Sequence, residues 1–243
     1  MSRVRPNTRR RHPPLTGRMT KGALMNIARL AIRFAAGATA TVLATVALGA
    51  SAQAHGKTEP LGDKSLAAVL TADTSGFDHN SRDFDVLTAA VLAVLQAKPA
   101  SPVKVLTDGS VALTAFVPND GAFRQLAREV GKKRSLPTEQ QAFTTVAGLG
   151  IDTVEAVLLY HVVPGATIDR KAALKADGAK LTTAAGSKIT VDVYRSWWHG
   201  KQIQLIDADR NDRNPRVVAF DVNKGNKQIA HAIDNVLRPV DLP

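Results

Sequence analysis

Apolar residues recur at helical spacing through the first half of the chain. Phe84, Leu87, Val91 and Leu95 lie three or four positions apart, which predicts a helix that continues to residue 96. A shorter apolar run predicts another helix at residues 65–70. The first half of the chain is therefore predicted to be mainly helical.

Capping residues predict where three more helices begin. Asn119 or Asp120 is placed to cap a helix that runs to Val130. Two later pairs have the spacing of a capping box, and they are Thr138 with Gln141 and Asp152 with Glu155. The second of these pairs is predicted to open a helix whose inward stripe is Val154, Val157, Leu158 and His161.

The period of the apolar pattern changes to two from Lys180 onward, which predicts strands. The alternating positions are Ile189, Val191 and Val193, then Ile203 and Leu205, then Val217 and Ala219, then Ala230 and Ala232. Residues 103–117 are also predicted to form a hairpin or strand pair around Asp108-Gly109. Because most strands follow the helices, the pattern predicts an α+β fold and not the alternating order of a parallel sheet.

Charge is distributed unevenly along the chain. The 243 residues contain 32 Lys and Arg and 21 Asp and Glu, a net charge of +11. Residues 1–54 hold nine of the basic groups and no acidic group, which leaves 23 basic and 21 acidic groups for residues 55–243. The nearly neutral remainder predicts that nucleic acid is not a partner.

The basic N-terminal segment has the organisation of an export signal. Residues 34–50 are uncharged, Arg29 and Arg33 precede them, and Ala52-Gln53-Ala54 follows as a cleavage site. We predict cleavage after Ala54 and a secreted protein, with Met19 and Met25 as alternative start positions. The alternative is a retained membrane anchor, for which the run is short because a span needs about 20 apolar residues. The predicted divisions are a signal peptide at 1–54, a flexible lead-in at 55–63 and one folded domain at 64–243.

Three segments resemble the signature of fasciclin-like domains. Residues 114–123 (TAFVPNDGAF) are similar to the first box of that family, residues 158–165 (LLYHVVPG) to its Tyr-His motif, and residues 230–239 (AHAIDNVLRP) to its second box. Lys227-Gln228 departs from the Asn-Gly that is usual before the second box, which moves the predicted turn to residues 224–226. The leader and the composition are typical of a bacterial protein. The resemblance implies a wedge of helices packed on antiparallel-rich β-sheet in a single domain.

The resemblance also implies a non-catalytic adhesion protein, a monomer that binds an extracellular or cell-envelope protein without a cofactor or metal. The candidate binding residues are Leu159, Tyr160, His161, Val162, Ile233, Asp234, Trp197 and Trp198. The residues predicted to have structural roles in the boxes are Thr114, Phe116, Pro118, Asn119, Phe123, His231 and Pro239. Buried Tyr160 and His161 would need hydrogen-bond partners, for which nearby backbone is expected, and Asp234 is expected to accept from backbone or hydroxyl donors.

Trp197 and Trp198 are predicted to lie at a strand connection. Since neighbouring strand residues point to opposite faces, at most one can enter the core, and the other either packs on the sheet edge or offers an aromatic anchor. An alternative function is therefore an extracellular receptor for a small molecule or polysaccharide that uses this loop. A pocket beside the tryptophans would favour the receptor, and a flat apolar patch would favour adhesion.

Two chemical alternatives remain. Residues 207–214 (DADRNDRN) begin like an EF-hand loop, but Asp212 and Val218 stand where that loop needs Gly and Glu, so a solvated loop without calcium is predicted. The chain lacks the G-x-S-x-G, H-E-x-x-H, P-loop and G-x-G-x-x-G patterns, which argues against an enzyme. A hydrolase with an unrecognised site would require a carboxylate, a histidine and a hydroxyl together in a cleft. The chain has no cysteine, so disulfides cannot stabilise it.

Overall fold

A computed structural model describes residues 59–242. The predicted export signal, its cleavage after Ala54 and the alternative start positions lie outside the described residues. The described part contains α1 (Leu66–Leu70), α2 (Asp85–Ala97), a 3₁₀ helix (Pro102–Thr107), α3 (Asp120–Val130), α4 (Glu139–Ala147), α5 (Ile151–Tyr160) and α6 (Arg170–Ala173). Among these residues no single helix is long and apolar enough to cross a membrane, and α4 with α5 meets that criterion only as a pair bent by 107°.

Seven strands form two sheets in the described residues. They are β1 (Leu113–Pro118), β2 (Val162–Pro164), β3 (Lys180–Thr182), β4 (Lys188–Ser196), β5 (Gly200–Ile206), β6 (Val217–Val222) and β7 (Gln228–Ile233). The larger sheet has the order β2-β1-β7-β6, and the smaller has the order β3-β4-β5. All pairs are antiparallel except β1 with β7, in which Leu113 lies opposite Gln228 and Pro118 opposite Ile233.

The central strands separate two hydrophobic cores. Leu113, Ala115 and Val117 of β1, with Ala230 and Ala232 of β7, belong to the core that includes helices α1 to α5. The opposite faces contribute to a second core with the smaller sheet, whose residues include Phe116, Ile233, Ile189, Val191, Ile203 and Leu205. This two-sided burial follows from the period-two alternation of strand side chains. The predicted α+β wedge of helices on antiparallel-rich sheet is confirmed.

The predicted hairpin within residues 103–117 is wrong. Ser101 accepts a hydrogen bond from Val103 N–H, and Pro102 at the next position suits the first turn of the 3₁₀ helix. The strand therefore starts only at Leu113, and its neighbours are β2 and β7. Two adjacent apolar runs in a sequence suggest a local hairpin. In the structure β1 instead pairs with distant strands and is buried on both faces.

One of the two predicted capping boxes is also wrong. Thr138 and Gln141 form the predicted reciprocal box at the start of α4. Helix α5 instead begins after Gly150, at a φ of 88°, without a side-chain cap. Asp152 and Glu155 both pair with Lys98 Nζ at the end of α2, with 2.7 Å to the Asp152 carboxylate. The two carboxylates thus connect two helices rather than cap one.

The flexible lead-in predicted at 55–63 includes two residues, 62 and 63, that the structure holds in place. Gly62 N–H donates to Gly225 O at 2.8 Å, and Gly62 O accepts from Lys227 N–H at 2.9 Å. The Lys227 ammonium also lies 2.6 Å from the Asp63 carboxylate. Residues 62 and 63 are therefore held against the turn before β7 and are part of the folded domain.

Candidate functional site

The Tyr-His motif lies in the interior. Tyr160 is fully buried at the end of α5, and its hydroxyl donates to Lys188 O at 3.2 Å. Burial raises the pKa of Tyr160 to about 12, so the phenol stays protonated. The predicted backbone partner exists, and the bond connects α5 to the start of β4.

His161 uses both ring nitrogens for backbone hydrogen bonds. Nδ1 lies 2.7 Å from Val157 O, and Nε2 accepts from Leu237 N–H at 3.0 Å. Because an acceptor at Nε2 carries no proton, the ring is neutral with its proton on Nδ1. Burial lowers the pKa of His161 to about 4, in agreement with a neutral ring near pH 7.

Side chains from the first and second boxes both form hydrogen bonds to the loop that follows β2. Thr114 Oγ1 donates to Ala166 O and accepts from Ile168 N–H, both at 2.8 Å. His231 Nε2 lies 2.8 Å from Ile168 O, while Nδ1 accepts from Asp221 N–H at 3.2 Å. Burial lowers the pKa of His231. These side chains hold the loop after β2 against the central strands.

The rest of the first box builds a strand and a helix cap. Asn119 accepts from Ala122 N–H at 2.9 Å and so caps α3. Phe116, Pro118 and Phe123 are buried around that corner, and Pro239 of the second box is half-buried. Asp120, the other predicted cap, instead accepts hydrogen bonds from the first N–H groups of α2.

Burial corrects the predicted binding residues. Tyr160, His161, Val162 and Ile233 are all at most 4 % exposed. A side chain in the core cannot touch a partner at the surface, so these four residues have core roles in this structure. Leu159 is half-buried and packs against the helical core.

Asp234 remains near the surface at the end of β7. Its carboxylate accepts from Arg216 N–H at 2.8 Å and from the Arg213 guanidinium at 3.0 Å. The predicted backbone donor is present, and the ionic partner is additional. Asp234 therefore lies at the rim of a surface groove with its two oxygens already used.

Trp197 and Trp198 lie in the turn between β4 and β5, and they are 91 % and 85 % exposed. Gly200 completes this turn with a φ of 67°, a conformation that glycine adopts without strain. Neither indole enters the core, because both belong to the turn rather than to a strand. We call this turn the tryptophan turn.

A polar groove of about 820 Å³ lies beside the tryptophan turn. Its lining includes Arg170, Tyr194, His199, Gln202, Arg216 and Asp221. A smaller hollow of about 460 Å³ lies against Trp197 itself. The groove draws residues from α6, β4, β5 and β6, so no local sequence pattern predicted it.

The groove also contains Ser196, His199 and Asp234, which are the residue types of a hydrolytic triad. No hydrogen bond joins these three side chains among the described residues, and Asp234 is engaged by Arg213 and Arg216. The arrangement can bind polar groups, but it does not align a base with a nucleophile.

The loop at 207–214, predicted to be solvated, is exposed at only half of its residues. Asp207 and Asp209 are buried with Arg238 of the second box, which sequence reasoning did not single out. Arg238 Nε lies 3.2 Å from Asp212 Oδ2, its N–H donates to Asp207 at 2.8 Å, and it also pairs with Glu129. Burial raises the pKa of Asp207 to about 7. The aspartates that resemble calcium ligands thus surround an arginine.

Together these features define an α+β domain whose sequence motifs build its interior and whose exposed chemistry lies at the tryptophan turn. Residues 87–239 match the model of the Fasciclin domain, which is more than half of the chain, and the protein belongs to that family. Such domains typically mediate adhesion or interaction, are typically extracellular or secreted, and are generally non-catalytic.

A solved structure of a FAS1 domain pair from the insect cell adhesion molecule Fasciclin I is similar, with 14% identity and a TM-score of 0.49. The alignment covers 72% of this chain and 51% of that one, so this chain spans about half the length of the domain pair. No curated protein sequence matches this chain.

Proposed function

We propose that this domain is a secreted adhesion module that binds a protein of the cell envelope or matrix through the tryptophan turn. The observation that carries the proposal is the nearly complete exposure of two adjacent indoles, Trp197 and Trp198. Large apolar side chains that are exposed singly are common, but two neighbouring tryptophans at the tip of a turn form a concentrated apolar feature.

The energetics of tryptophan burial support this role. Each indole can bury ~150–250 Å² in a partner, which is worth roughly 4–6 kcal/mol at about 25 cal/mol per Å² before the costs of association. Tryptophan is also among the residues most enriched at binding hot spots. The turn can therefore supply the apolar centre of an interface.

The neighbouring groove supplies a polar rim. Arg170 and Arg216 lie with Asp221 and Asp234 along the same groove, so both signs of charge border the tryptophan turn. An apolar centre with a polar rim is the usual organisation of a protein–protein interface. Mixed charges favour specificity for one partner over another.

The test is capture of partners from cell-envelope and matrix extracts with the purified protein. The variant Trp197→Ala/Trp198→Ala is expected to lose capture and keep the melting temperature, because neither indole packs in the core. Leu92→Ala is the matched control, since Leu92 is an apolar residue that is 51% exposed on helix α2. Undiminished capture by the double tryptophan variant contradicts the proposal.

A second candidate, binding of polysaccharide, is favoured by the concave polar groove beside the tryptophans. The same extracts distinguish the two candidates. Protease treatment abolishes capture of a protein partner, whereas periodate oxidation abolishes capture of a polysaccharide. Gln202→Ala and His199→Ala are expected to weaken polysaccharide binding more than protein binding, because both residues line the groove.

The proposed site of action is outside a bacterial cell, after removal of residues 1–54. N-terminal sequencing of the exported protein is expected to begin at His55. The domain is proposed to act as a monomer, without a catalytic step. An exported protein that retains residues 34–50 would instead be attached to the membrane.

A further inference from the structure

Three helices begin at one place with an acidic residue each. Asp85, Asp120 and Glu139 are the first residues of α2, α3 and α4, and one carboxylate oxygen of each lies within 4.8 Å of the others. Asp83 and Asp78 add two further carboxylates beside Asp85. We call Asp83, Asp85, Asp120 and Glu139 the helix-start cluster.

Some oxygens in this cluster have defined partners. Asp120 accepts from Asp85 N–H at 3.2 Å and from Val86 N–H at 3.0 Å, and so caps α2. Glu139 Oε2 accepts from His79 N–H at 2.9 Å. These bonds hold Asp120 against the start of α2 and Glu139 against the loop that precedes it.

Other oxygens are buried without a partner. Glu139 is only 1 % exposed, and its Oε1 makes no hydrogen bond in the described structure. The same holds for Asp85 Oδ2 and for both oxygens of Asp83. A buried carboxylate oxygen without a donor is costly, and a cation at the centre of the cluster would offset that cost for Glu139 Oε1.

The protein does not supply enough positive charge there. Within residues 59–242 no lysine, arginine or histidine side chain forms an ion pair with the helix-start cluster. Each helix N-terminus contributes roughly half a positive charge, or about 1.5 charges from three helices. Without a cation the carboxyl groups resist ionisation together: burial and the neighbouring Asp83 raise the pKa of Asp120 to about 8 and that of Asp85 to about 6.

We propose that the helix-start cluster binds a single Ca²⁺ ion that ties together the starts of α2, α3 and α4. Carboxylate oxygens are preferred ligands of this hard cation, and two oxygens bound at about 2.4 Å lie at most ~4.8 Å apart. The spacing of Asp85, Asp120 and Glu139 meets that limit. The site is separate from the EF-hand-like segment at 207–214 and does not depend on the adhesion proposal.

The cation stabilises the fold because it binds the folded arrangement of three helices and not the unfolded chain. The purified full chain is treated with chelator, and its melting temperature is measured against added CaCl₂ at constant ionic strength. The melting temperature is expected to rise by about 3–6 °C for each tenfold increase in Ca²⁺ above the dissociation constant. Magnesium chloride is expected to give a smaller rise, because Mg²⁺ requires shorter bonds and stricter geometry.

Glu139→Gln removes one charge at nearly constant shape. This variant is expected to fold with a melting temperature at or above that of the calcium-free wild type, and to lose the response to calcium. Asn211→Ala is the control, because it removes a candidate ligand from the EF-hand-like segment and should leave the response intact. Absence of a calcium response in the wild type, or its persistence in Glu139→Gln, overturns the proposal.

Discussion

Leu237 N–H donates to His161 Nε2 at 3.0 Å, across a sequence separation of 76 residues. The same ring contacts Val157 O through Nδ1 at 2.7 Å, so its two nitrogens join α5 to the segment after β7. The Tyr-His motif and the second box thus meet at a single imidazole. The bond to Leu237 exists only while Nε2 is unprotonated.

This relationship predicts a loss of stability in acid. Burial lowers the pKa of His161 to about 4 from an ordinary value of 6.5, so its contribution is complete above pH 6.5 and disappears as the pH falls to 4. The free energy of unfolding is expected to drop by about 2 kcal/mol between pH 7 and pH 5 through this residue. Urea titrations at the two pH values measure the drop.

His161→Gln separates this contribution from those of other titrating groups. The difference between pH 7 and pH 5 should be smaller in His161→Gln than in the wild type. His79→Asn is the control, because His79 is exposed at a φ of 76°, a conformation that Asn tolerates. Equal pH responses in wild type and His161→Gln would show that His161 is not the titrating group.

Gln228 is predicted to be among the most sensitive polar positions. It is fully buried, accepts from Leu66 N–H at 2.8 Å, and donates to Val105 O at 2.8 Å and Asp108 O at 2.7 Å. Gln228→Leu leaves Leu66 N–H without a partner and removes one of the two donors to each of Val105 O and Asp108 O, so it is expected to cost about 2 kcal/mol. Thermal or urea unfolding measures the change, and exposed Gln140→Leu should change the free energy by under about 0.5 kcal/mol.

Arg238 is predicted to be essential for folding. Removal of its side chain leaves the buried carboxylates of Asp209 and Asp212 without their cation, whereas the backbone N–H that Asp207 accepts is kept. Arg238→Ala is expected to destabilise by about 3–5 kcal/mol, as for other broken buried ion pairs. Arg213→Ala breaks a more exposed pair with Asp234 and should cost no more than about 1 kcal/mol. Similar unfolding free energies for the two variants would contradict this account.

Gly109 is predicted to tolerate no side chain. A Cβ at this position would lie 1.7 Å from Asp63 O, so the segment before α1 would have to move. Gly109→Ala is expected to lower the melting temperature strongly and to expose residues 62–65 to proteolysis. Gly148→Ala is the comparison, because Gly148 has a φ of −64° and its nearest contact would be 3.2 Å. Resistance of Gly109→Ala to both effects would refute the close approach.

Much of the fold was predictable because its signals are local. The Asn119 cap of α3 and the Thr138–Gln141 box of α4 each depend on only a few consecutive residues, and both are present. The three boxes identified the family because their order is itself informative. The predicted pairing within 103–117 failed because an apolar run does not specify which other strand it will meet.

The buried polar clusters were less predictable, because their residues come from distant parts of the chain. Asp85, Asp120 and Glu139 are separated by 54 positions but meet at one point. Arg238 and the loop at 207–214 were both visible in sequence, but only the fold places the guanidinium among those carboxylates. Gln228, a departure from the family pattern, likewise acquires its role only from three remote backbone groups.

The central position of β7 has a consequence for how the chain acquires its structure. β1 is made of residues 113–118, but its parallel neighbour is more than 100 residues later. A ribosome-bound chain that stops before Gln228 leaves β1 and β6 with open edges and the helical core with exposed apolar surface. The domain therefore cannot complete its folding during most of its synthesis. Folding of this kind is slow compared with that of a helical bundle, because its central pairing is non-local.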